Sequence, residues 1–171
     1  MAQYKEAIDK LCAYVESLHS VIYINTFNYH LADNLISRLD IKANVIEYSK
    51  SYGIIDFDDK HPILECDIVS FFKQAWDEGT KEKTFIICKD INEDLNNPEV
   101  ISLIKRIAED NFYKDTFNAT IFIISNLIDI PTQIEPYVTI FDIPLPSYIE
   151  IEEIIKVFIG ENNISDRGFH C

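Results

Sequence analysis

Apolar side chains follow two alternating patterns along this chain. In the first pattern they recur every three or four residues, as at Leu11, Val15 and Leu18, which predicts amphipathic helices. In the second they form short uninterrupted runs, as over residues 121–124, which predicts buried strands. The helical pattern covers residues 4–18, 29–39, 67–79, 97–108 and 147–159, and the runs cover residues 21–24, 44–49, 83–88, 119–124 and 137–143.

The alternation of strand and helix predicts an α/β fold. The predicted strands are apolar enough to be covered on both faces, which is typical of a parallel sheet between two layers of helices. We therefore predict a three-layer αβα domain with a five-stranded parallel sheet over residues 1–160. Residues 50–62 hold a glycine, aspartates and a proline and are predicted to form a loop or a short hairpin. Residues 161–171 are largely polar and form either a tail or the start of a linker.

Residues at the ends of the helical segments indicate where individual helices begin and stop. Asp67 precedes an apolar helical pattern and is predicted to cap its N-terminus, and Gly79 is predicted to end that helix. Asn97 followed by Pro98 has the form of an N-cap and a first helical residue. These signals support the helix assignments independently of the apolar spacing.

Composition and charge argue against several classes of partner. The 171 residues are 47% hydrophobic and 26% charged, which suits one domain with one core. The formal net charge is −14 and the 15 lysines and arginines are dispersed, which argues against binding to nucleic acid or to an acidic membrane surface. The acidity has two interpretations that the sequence leaves open, namely solubility or a docking face for a basic partner.

No segment of the sequence is typical of a membrane span or a secretion signal. The longest apolar runs are far shorter than the roughly 20 residues that cross a bilayer, and no basic region precedes a signal-like segment. We therefore expect a cytoplasmic protein. The cysteines and histidines lack the spacing of metal ligands, so no metal site is predicted. These residues are Cys12, Cys66, Cys88, Cys171, His19, His30, His61 and His170.

The turn after the first predicted strand lacks the residues of a phosphate-binding loop. In parallel α/β sheets this turn usually holds phosphates, and a Walker A loop supplies glycines, a lysine and a serine or threonine there. Residues 25–30 read Asn-Thr-Phe-Asn-Tyr-His, with neither glycine nor lysine. Phe27, Tyr29 and His30 would block the approach of an anion, and they are instead candidates for binding a protein partner.

Two polar residues keep nucleotide binding open as an alternative. Asp90 follows the third predicted strand, where ATPases carry a pair of acids, but Lys89 and Asn92 do not complete the pair. Asn126 follows the fourth predicted strand, where nucleotide-dependent switch proteins often hold a polar sensor. The alternative roles are a loop residue or helix cap for Asp90 and an ordinary turn former for Asn126.

The order of these segments resembles the N-terminal part of AAA+ ATPases of the chloroplast and cyanobacterial open-reading-frame type, which also occur in bacteria. Chains of this group carry a degenerate AAA-like domain before a catalytic module. The most telling match is Val-Thr-Ile-Phe-Asp-Ile-Pro-Leu-Pro over residues 138–146, with glutamates at positions 150, 152 and 153 after it. The resemblance covers about residues 8–158 and includes residues 20–26, 83–90, 97–107 and 120–125.

The resemblance implies the fold of P-loop NTPases of the AAA+ type with the Walker A loop missing. It implies the strand order 5-1-4-3-2, and we expect four isoleucines to be buried in that sheet. It transfers no catalytic residues, so we expect this chain alone to be no enzyme and to hold no cofactor, while ATP and Mg²⁺ belong to the ATPase module. The four isoleucines are Ile22, Ile86, Ile123 and Ile140.

The function that the resemblance favours is that of a non-catalytic N-terminal domain serving assembly, regulation, or the binding of substrates or partners. Its expected partners are a C-terminal AAA+ ATPase module and a second copy of the domain. The chain is then either an excised domain or a stand-alone relative. The alternative function is a domain that binds ATP or ADP without a standard phosphate-binding loop, through Asp90 and Asn126.

Overall fold

The computed structural model describes residues 2–144 together with residues 148, 151, 152 and 156. Within residues 2–144 the helices are α1 (Ala2–Glu16), α2 (Tyr29–Ser37), α3 (Ile68–Gly79) and α4 (Pro98–Tyr113). The strands are β1 (Val21–Asn25), β2 (Asn44–Ser49), β3 (Gly53–Ile55), β4 (Pro62–Leu64), β5 (Thr84–Lys89), β6 (Ala119–Ser125) and β7 (Val138–Asp142). Single 3-10 turns lie at Asp94–Asn96 and Glu135–Tyr137.

The helix predicted over residues 147–159 falls mostly outside the described residues. Residues 148, 151, 152 and 156 are helical, whereas Gly160 and the tail predicted over residues 161–171 are not described. Among the described helices, none combines the length and the apolar character that a bilayer crossing requires.

The strands pair into one sheet in the order β4-β3-β2-β5-β6-β1-β7. Strands β2, β5, β6, β1 and β7 run parallel to one another. Read from the β7 end, their order is the predicted 5-1-4-3-2, so the α/β fold class and the order of the parallel strands are confirmed. The sheet has seven strands where five were expected, because β3 and β4 add an antiparallel extension beyond β2.

The two additional strands come from the segment predicted as a loop or a short hairpin. β3 has only three residues, which are too few to show an alternating apolar pattern. β4 begins with Pro62, and proline within an apolar run argues against a strand. Proline is nevertheless compatible with the first residue of an edge strand, and β4 is the outermost strand of the sheet.

The sheet separates two hydrophobic cores. Along β1, Val21 and Tyr23 belong to the core that α3 and α4 cover, while Ile22 and Ile24 belong to the core that α1 and α2 cover. All four side chains are fully buried. β5 and β6 alternate in the same way, because successive side chains of a strand point to opposite faces. The three-layer αβα architecture is therefore confirmed.

Three of the four isoleucines expected in the sheet are buried, and one is not. Ile22, Ile86 and Ile123 are inaccessible to solvent, but Ile140 is 44% exposed, so the prediction for Ile140 is wrong. Ile140 lies on β7, which pairs with β1 on one side and ends the sheet. The helical layers are centred on the interior strands, and the described helices leave Ile140 accessible at this edge.

The helix signals in the sequence correspond to capping contacts. Asp67 caps α3 by accepting a hydrogen bond from the N–H of Ser70 at 2.8 Å. Asn97 caps α4 in the same manner, through an N–H two residues further on at 2.9 Å, and Pro98 is the first residue of that helix. Gly79 is the last residue of α3. These predictions of helix ends are therefore confirmed.

Replacing Ile123 with aspartate tests the strand assignment. Ile123 is completely buried in β6, so Ile123→Asp places an unpaired carboxylate in the core. The cost is several kcal/mol against a total stability of roughly 5–15 kcal/mol, and we expect the domain to unfold. Ile140→Asp is the matched control, because Ile140 is 44% exposed and the variant should stay folded. Thermal melts followed by circular dichroism measure both; an unchanged melting temperature for Ile123→Asp would contradict the burial of β6.

Candidate functional site

Four parallel strands end close together along one side of the sheet, which we call the carboxyl edge. Asn25 at the end of β1 pairs in register with Ser125 of β6 and Asp142 of β7. The side-chain amide of Asn25 donates to the carboxylate of Asp142 at 3.0 Å. β5 lies on the other side of β6 and ends at Lys89. Ligands of parallel α/β sheets bind beyond this edge, and the candidate residues lie there.

Backbone donors of the β1–α2 turn are already paired with protein acceptors. The N–H of Thr26 donates to the carbonyl of Ser125 at 3.1 Å. The N–H of Asn28 donates to the hydroxyl of Thr26 at 3.0 Å, and the side chain of Asn28 caps α2 by accepting from the N–H of Leu31 at 3.1 Å. A phosphate-binding loop instead directs such N–H groups at the anion. Three N–H groups in or beside this turn therefore have partners other than a phosphate.

The three residues predicted to bind a partner occupy different environments in this turn. Phe27 is 82% exposed, and His30 is exposed on the first turn of α2. Tyr29 is partly buried, and its hydroxyl donates a hydrogen bond to the carboxylate of Asp90. Phe27 and His30 are therefore accessible for contact, whereas Tyr29 links the turn to the end of β5.

Asp90, one of the two candidate nucleotide ligands, is held through both its side chain and its backbone. Its carboxylate accepts from Tyr29, and its N–H donates to the carbonyl of Ile124 at 3.1 Å. Its φ is +53°, a left-handed conformation that aspartate tolerates better than most residues. Burial, and then the hydrogen bond to Asp90, raise the pKa of Tyr29 to about 12. The phenol therefore stays protonated at neutral pH and donates to Asp90.

Asn126, the other candidate nucleotide ligand, is exposed directly after β6. Its side chain makes no hydrogen bond to the residues that the structure describes. Two hydrogen bonds hold the loop that follows Asn126. The hydroxyl of buried Tyr23 and the side-chain amide of Asn92 both donate to the carbonyl of Leu127. The side chains of Leu127 and Ile128 are 61% and 44% exposed. Asn126 is therefore accessible, and its neighbours on the C-terminal side are apolar.

Three exposed apolar side chains follow the ends of the adjacent strands β1 and β6. They are Phe27, Leu127 and Ile128, and we call them the apolar edge. Exposed apolar groups concentrated on one surface mark sites of interaction in soluble proteins. No pattern in the sequence distinguishes the Leu127–Ile128 pair from the buried apolar pairs of a strand, so only the fold reveals that it faces solvent.

Four charged side chains form a cluster between β2, β5, α2 and the β3–β4 loop, and we call it the charged cluster. The ammonium group of Lys89 donates to Asp33 and Glu47, both at 2.8 Å. Lys60 contacts the same two carboxylates at 3.1 Å and 2.5 Å. The side chain of Glu47 is only 3% exposed and that of Lys89 is 16% exposed. Because the four residues come from separate elements, no spacing in the sequence predicts this cluster.

The lysine that ends β5 is already paired within the charged cluster. A lysine that binds phosphate must present a free ammonium group to the anionic oxygens. The ammonium group of Lys89 is instead shared between Asp33 and Glu47. Withdrawing it would leave a buried carboxylate short of a partner, which is costly in a protein interior. Lys89 is therefore bound by two carboxylates and does not present a free ammonium group at the carboxyl edge.

Three side chains that could ligate a metal come together in the β3–β4 loop. One atom each of Asp56, Asp59 and His61 lies within 4.8 Å of the others. Asp56 accepts from the N–H groups of Asp58 and Asp59, and Asp59 accepts from the N–H of His61 at 3.1 Å. The side-chain hydrogen bond between the ring of His61 and the carboxylate of Asp59 raises the pKa of His61, and the same contact lowers the pKa of Asp59. Local turn hydrogen bonds thus account for the proximity of these groups.

The comparison with protein families covers most of the chain. Residues 7–143 match the model described as SpoVK-like AAA ATPase, N-terminal domain. The chain belongs to this family. The match includes every strand of the sheet, so the predicted resemblance to an N-terminal domain of AAA+ ATPases is confirmed at that level. The narrower assignment to the chloroplast and cyanobacterial type stays a prediction.

Parts of two larger solved structures align with this chain. The structure of C. elegans PCH-2 aligns with a TM-score of 0.55 and 16% identity over 98% of this chain and 50% of PCH-2. A structure of Drosophila ORC bound to DNA aligns with a TM-score of 0.47 and 10% identity, over 86% of this chain and 43% of that one. The chain thus spans half or less of these two relatives. The likeness to PCH-2 shows the AAA+ P-loop NTPase-like fold alone. Comparison with the curated proteins gives no match.

Removing the cation of Lys89 tests the role of the charged cluster. Lys89→Met keeps most of the length of the side chain but deprives Glu47, which is 3% exposed, of one partner, so we expect a loss of about 3 kcal/mol in the free energy of unfolding. Lys81→Met is the control, because Lys81 is 56% exposed and its surface ion pairs contribute about 1 kcal/mol or less. Urea denaturation measures both variants. Equal losses in the two variants would show that the cluster has no special role in stability.

Proposed function

We propose that this domain is a non-catalytic docking domain of an AAA+ ATPase and that its apolar edge contacts the ATPase module. The observation that carries the proposal is Phe27, which is 82% exposed in the turn where related sheets hold phosphates. Aromatic side chains supply a large contact area at a small cost in conformational entropy, and they are frequent anchors of protein interfaces. The turn thus has the features of a protein contact.

The polar groups around this turn support a role without catalysis. Phosphoryl transfer needs N–H donors and a cation aimed at the phosphates, and carboxylates that hold Mg²⁺. Here the N–H groups of Thr26 and Asn28 have protein acceptors, and the ammonium group of Lys89 is bound by two carboxylates. The carboxylate of Asp90 accepts a hydrogen bond from Tyr29. In our proposal ATP and Mg²⁺ are therefore bound by the ATPase module.

The course of the chain is compatible with docking at the carboxyl edge. β7 runs parallel to β1, so the chain continues past Asp142 on the same side of the sheet as Phe27. The described residues that follow include Tyr148 and Ile151, which are 81% and 42% exposed. If the contact between this domain and the ATPase module changes with the state of the module, the domain can regulate the ATPase or its assembly. The other candidate to bind the apolar edge is a second copy of this domain.

Substitution of the apolar edge tests the docking proposal. Phe27→Ala combined with Leu127→Ala removes two side chains that are 82% and 61% exposed, so folding should be unaffected. We expect the variant to bind the separately produced ATPase module at least about tenfold more weakly, which is the loss typical of interface anchors. Surface plasmon resonance with the immobilised module measures the affinity, and sedimentation velocity of the domain alone reports any self-association through the same edge.

A matched control for this experiment lies on β4, the outermost strand of the sheet. Ile63 and Leu64 are 59% and 49% exposed, and Ile63→Ala with Leu64→Ala removes exposed apolar surface away from the carboxyl edge. This variant should bind the module as the native domain does. If the apolar-edge variant binds the module as tightly as the control variant, the carboxyl edge is not the docking surface.

Calorimetry tests the alternative that the domain binds nucleotide. Asn126 is exposed beside the end of β6 and Asp90 lies at the end of β5, which favours this alternative. We nevertheless expect no binding heat with ATP, ADP or Mg²⁺ at millimolar concentration, because the N–H groups of Thr26 and Asn28 and the ammonium group of Lys89 have protein partners. A saturable heat that is lost in Asp90→Asn and in Asn126→Ala would establish nucleotide binding in place of the docking function.

A further inference from the structure

A cavity of about 480 Å³ opens at the amino end of the parallel sheet, on the side opposite to the carboxyl edge. It is bounded by the segment after α1, by the last turns of α4 and by the chain that leads into β7. His19, Glu109, Phe112, Tyr113, Tyr137 and Thr139 line it. Its volume lies within the range of known ligand sites, which is roughly 300–1,000 Å³. The docking function proposed above makes no use of it.

Hydrogen bonds fix the polar side chains of this cavity. The hydroxyl of Tyr137 donates to one oxygen of Glu109 at 3.0 Å, and a ring nitrogen of His19 lies 2.6 Å from the hydroxyl of Thr139. The contact with Glu109 raises the pKa of Tyr137, so the phenol remains a donor at neutral pH. A carboxylate oxygen has more than one lone pair, and Glu109 keeps capacity for further donors. The cavity therefore presents an oriented carboxylate.

The negative charge of Glu109 is not neutralised by its neighbours. Glu109 is the only Asp, Glu, Lys or Arg that lines the cavity, and within the described residues it makes no ion pair. Three cations lie near Glu109 along the chain. Arg106 lies over the ring of Trp76 at 4.1 Å, and Lys114 pairs with a neighbouring carboxylate at 2.8 Å. Lys105 lies one turn before Glu109 on α4 and makes no ion pair with it. The carboxylate of Glu109 can therefore accept an incoming cation.

The surroundings of the cavity also favour a cation. α1 ends at Glu16 and α4 ends at Tyr113, so two helix C-termini lie at its rim, and each carries a partial negative charge. The whole chain has a formal net charge of −14, which attracts basic partners from a distance. The carboxylate of Glu109, the two helix C-termini and the net negative charge of the chain thus all favour a positively charged ligand.

The aromatic rings beside the carboxylate of Glu109 favour one kind of cation over another. Phe112 and Tyr113 are each 79% exposed, and their ring centroids lie 5.4 Å apart with the planes at 72°. A guanidinium group stacks on aromatic faces and pairs with a carboxylate through two hydrogen bonds, whereas an ammonium group is a more strongly hydrated point charge. This combination of rings and carboxylate matches arginine better than lysine.

We propose that this cavity binds an arginine side chain in an extended segment of a protein partner, with its guanidinium group on Glu109. The cavity is wider than one side chain and opens along Phe112 and Tyr113, so residues next to the arginine have room at its mouth. Leu18 is 47% exposed at the rim and offers an apolar contact to such a neighbour. The site is a second interaction surface, separate from the apolar edge.

A pair of peptides that differ only in charge tests this proposal. The probe is acetyl-Ala-Leu-Arg-Leu-Ala-amide, and the matched control has citrulline, a neutral isostere, in place of arginine. Titrations of the ¹⁵N-labelled domain followed by NMR should give saturable shifts confined to residues around the cavity. We expect the citrulline peptide to bind at least about tenfold more weakly, because a charged hydrogen bond is then replaced by a neutral one.

Variants of the domain test whether Glu109 causes the difference in affinity between the two peptides. Glu109→Gln should lower the affinity of the domain for the arginine peptide to its affinity for the citrulline peptide. The affinity for the citrulline peptide should not change. Glu99→Gln makes the same change of charge at the other end of α4, and Phe27→Ala alters the carboxyl edge; both should leave the affinities as they are. The proposal is overturned by equal affinity for the two peptides, by shifts spread over the acidic surface, by no binding, or by equal effects of Glu109→Gln and Glu99→Gln.

Discussion

The interior strands of this domain are apolar on both faces, and this constraint determines where the protein can meet other molecules. Tyr23 and Ile22 of β1 point to opposite sides, yet both are fully buried. Such strands require a layer of helices on each face, and those layers leave little of the sheet accessible. What remains are the ends of the strands and the outer edges. One end holds Phe27 and the apolar edge, and the other holds the cavity around Glu109, so both proposed surfaces lie where the architecture leaves access.

The carboxyl edge illustrates how a site can keep its position in a fold and change its chemistry. Polar groups that are partly buried need hydrogen-bond partners, whether from a ligand or from the protein. In this domain the protein itself supplies them: Ser125 accepts from the turn after β1, Tyr29 donates to Asp90, and carboxylates surround Lys89. Groups that are satisfied internally are not free to bind a phosphate. The exposed apolar side chains beside them then become the dominant feature of the surface.

The parts of the fold that depend on local pattern could be predicted from the sequence, and the parts that depend on distant contacts could not. Continuous apolar runs such as residues 119–124 mark the interior strands, and Asn97 marks a helix start through its own capping bond. The exposure of Ile140 depends on which strand ends the sheet, and β3 is too short to have a pattern. Lys89 contacts Asp33, which is 56 residues away in the sequence. Nothing in the spacing of such residues predicts that they meet. The candidate roles of Asp90 and Asn126 stay predictions.

The charged cluster also limits how this domain can evolve. To free Lys89 for an anion, a variant of this domain would have to release it from Glu47, and a carboxylate that is 3% exposed would lose a partner in the same step. Replacing Glu47 first would instead leave two lysines facing Asp33 alone. We expect each single substitution to give a less stable protein, so freeing a lysine at this edge requires several changes together. The side chains of the apolar edge, by contrast, can be exchanged one at a time with little effect on folding. New protein partners are therefore easier for this domain to acquire than a free lysine at the carboxyl edge.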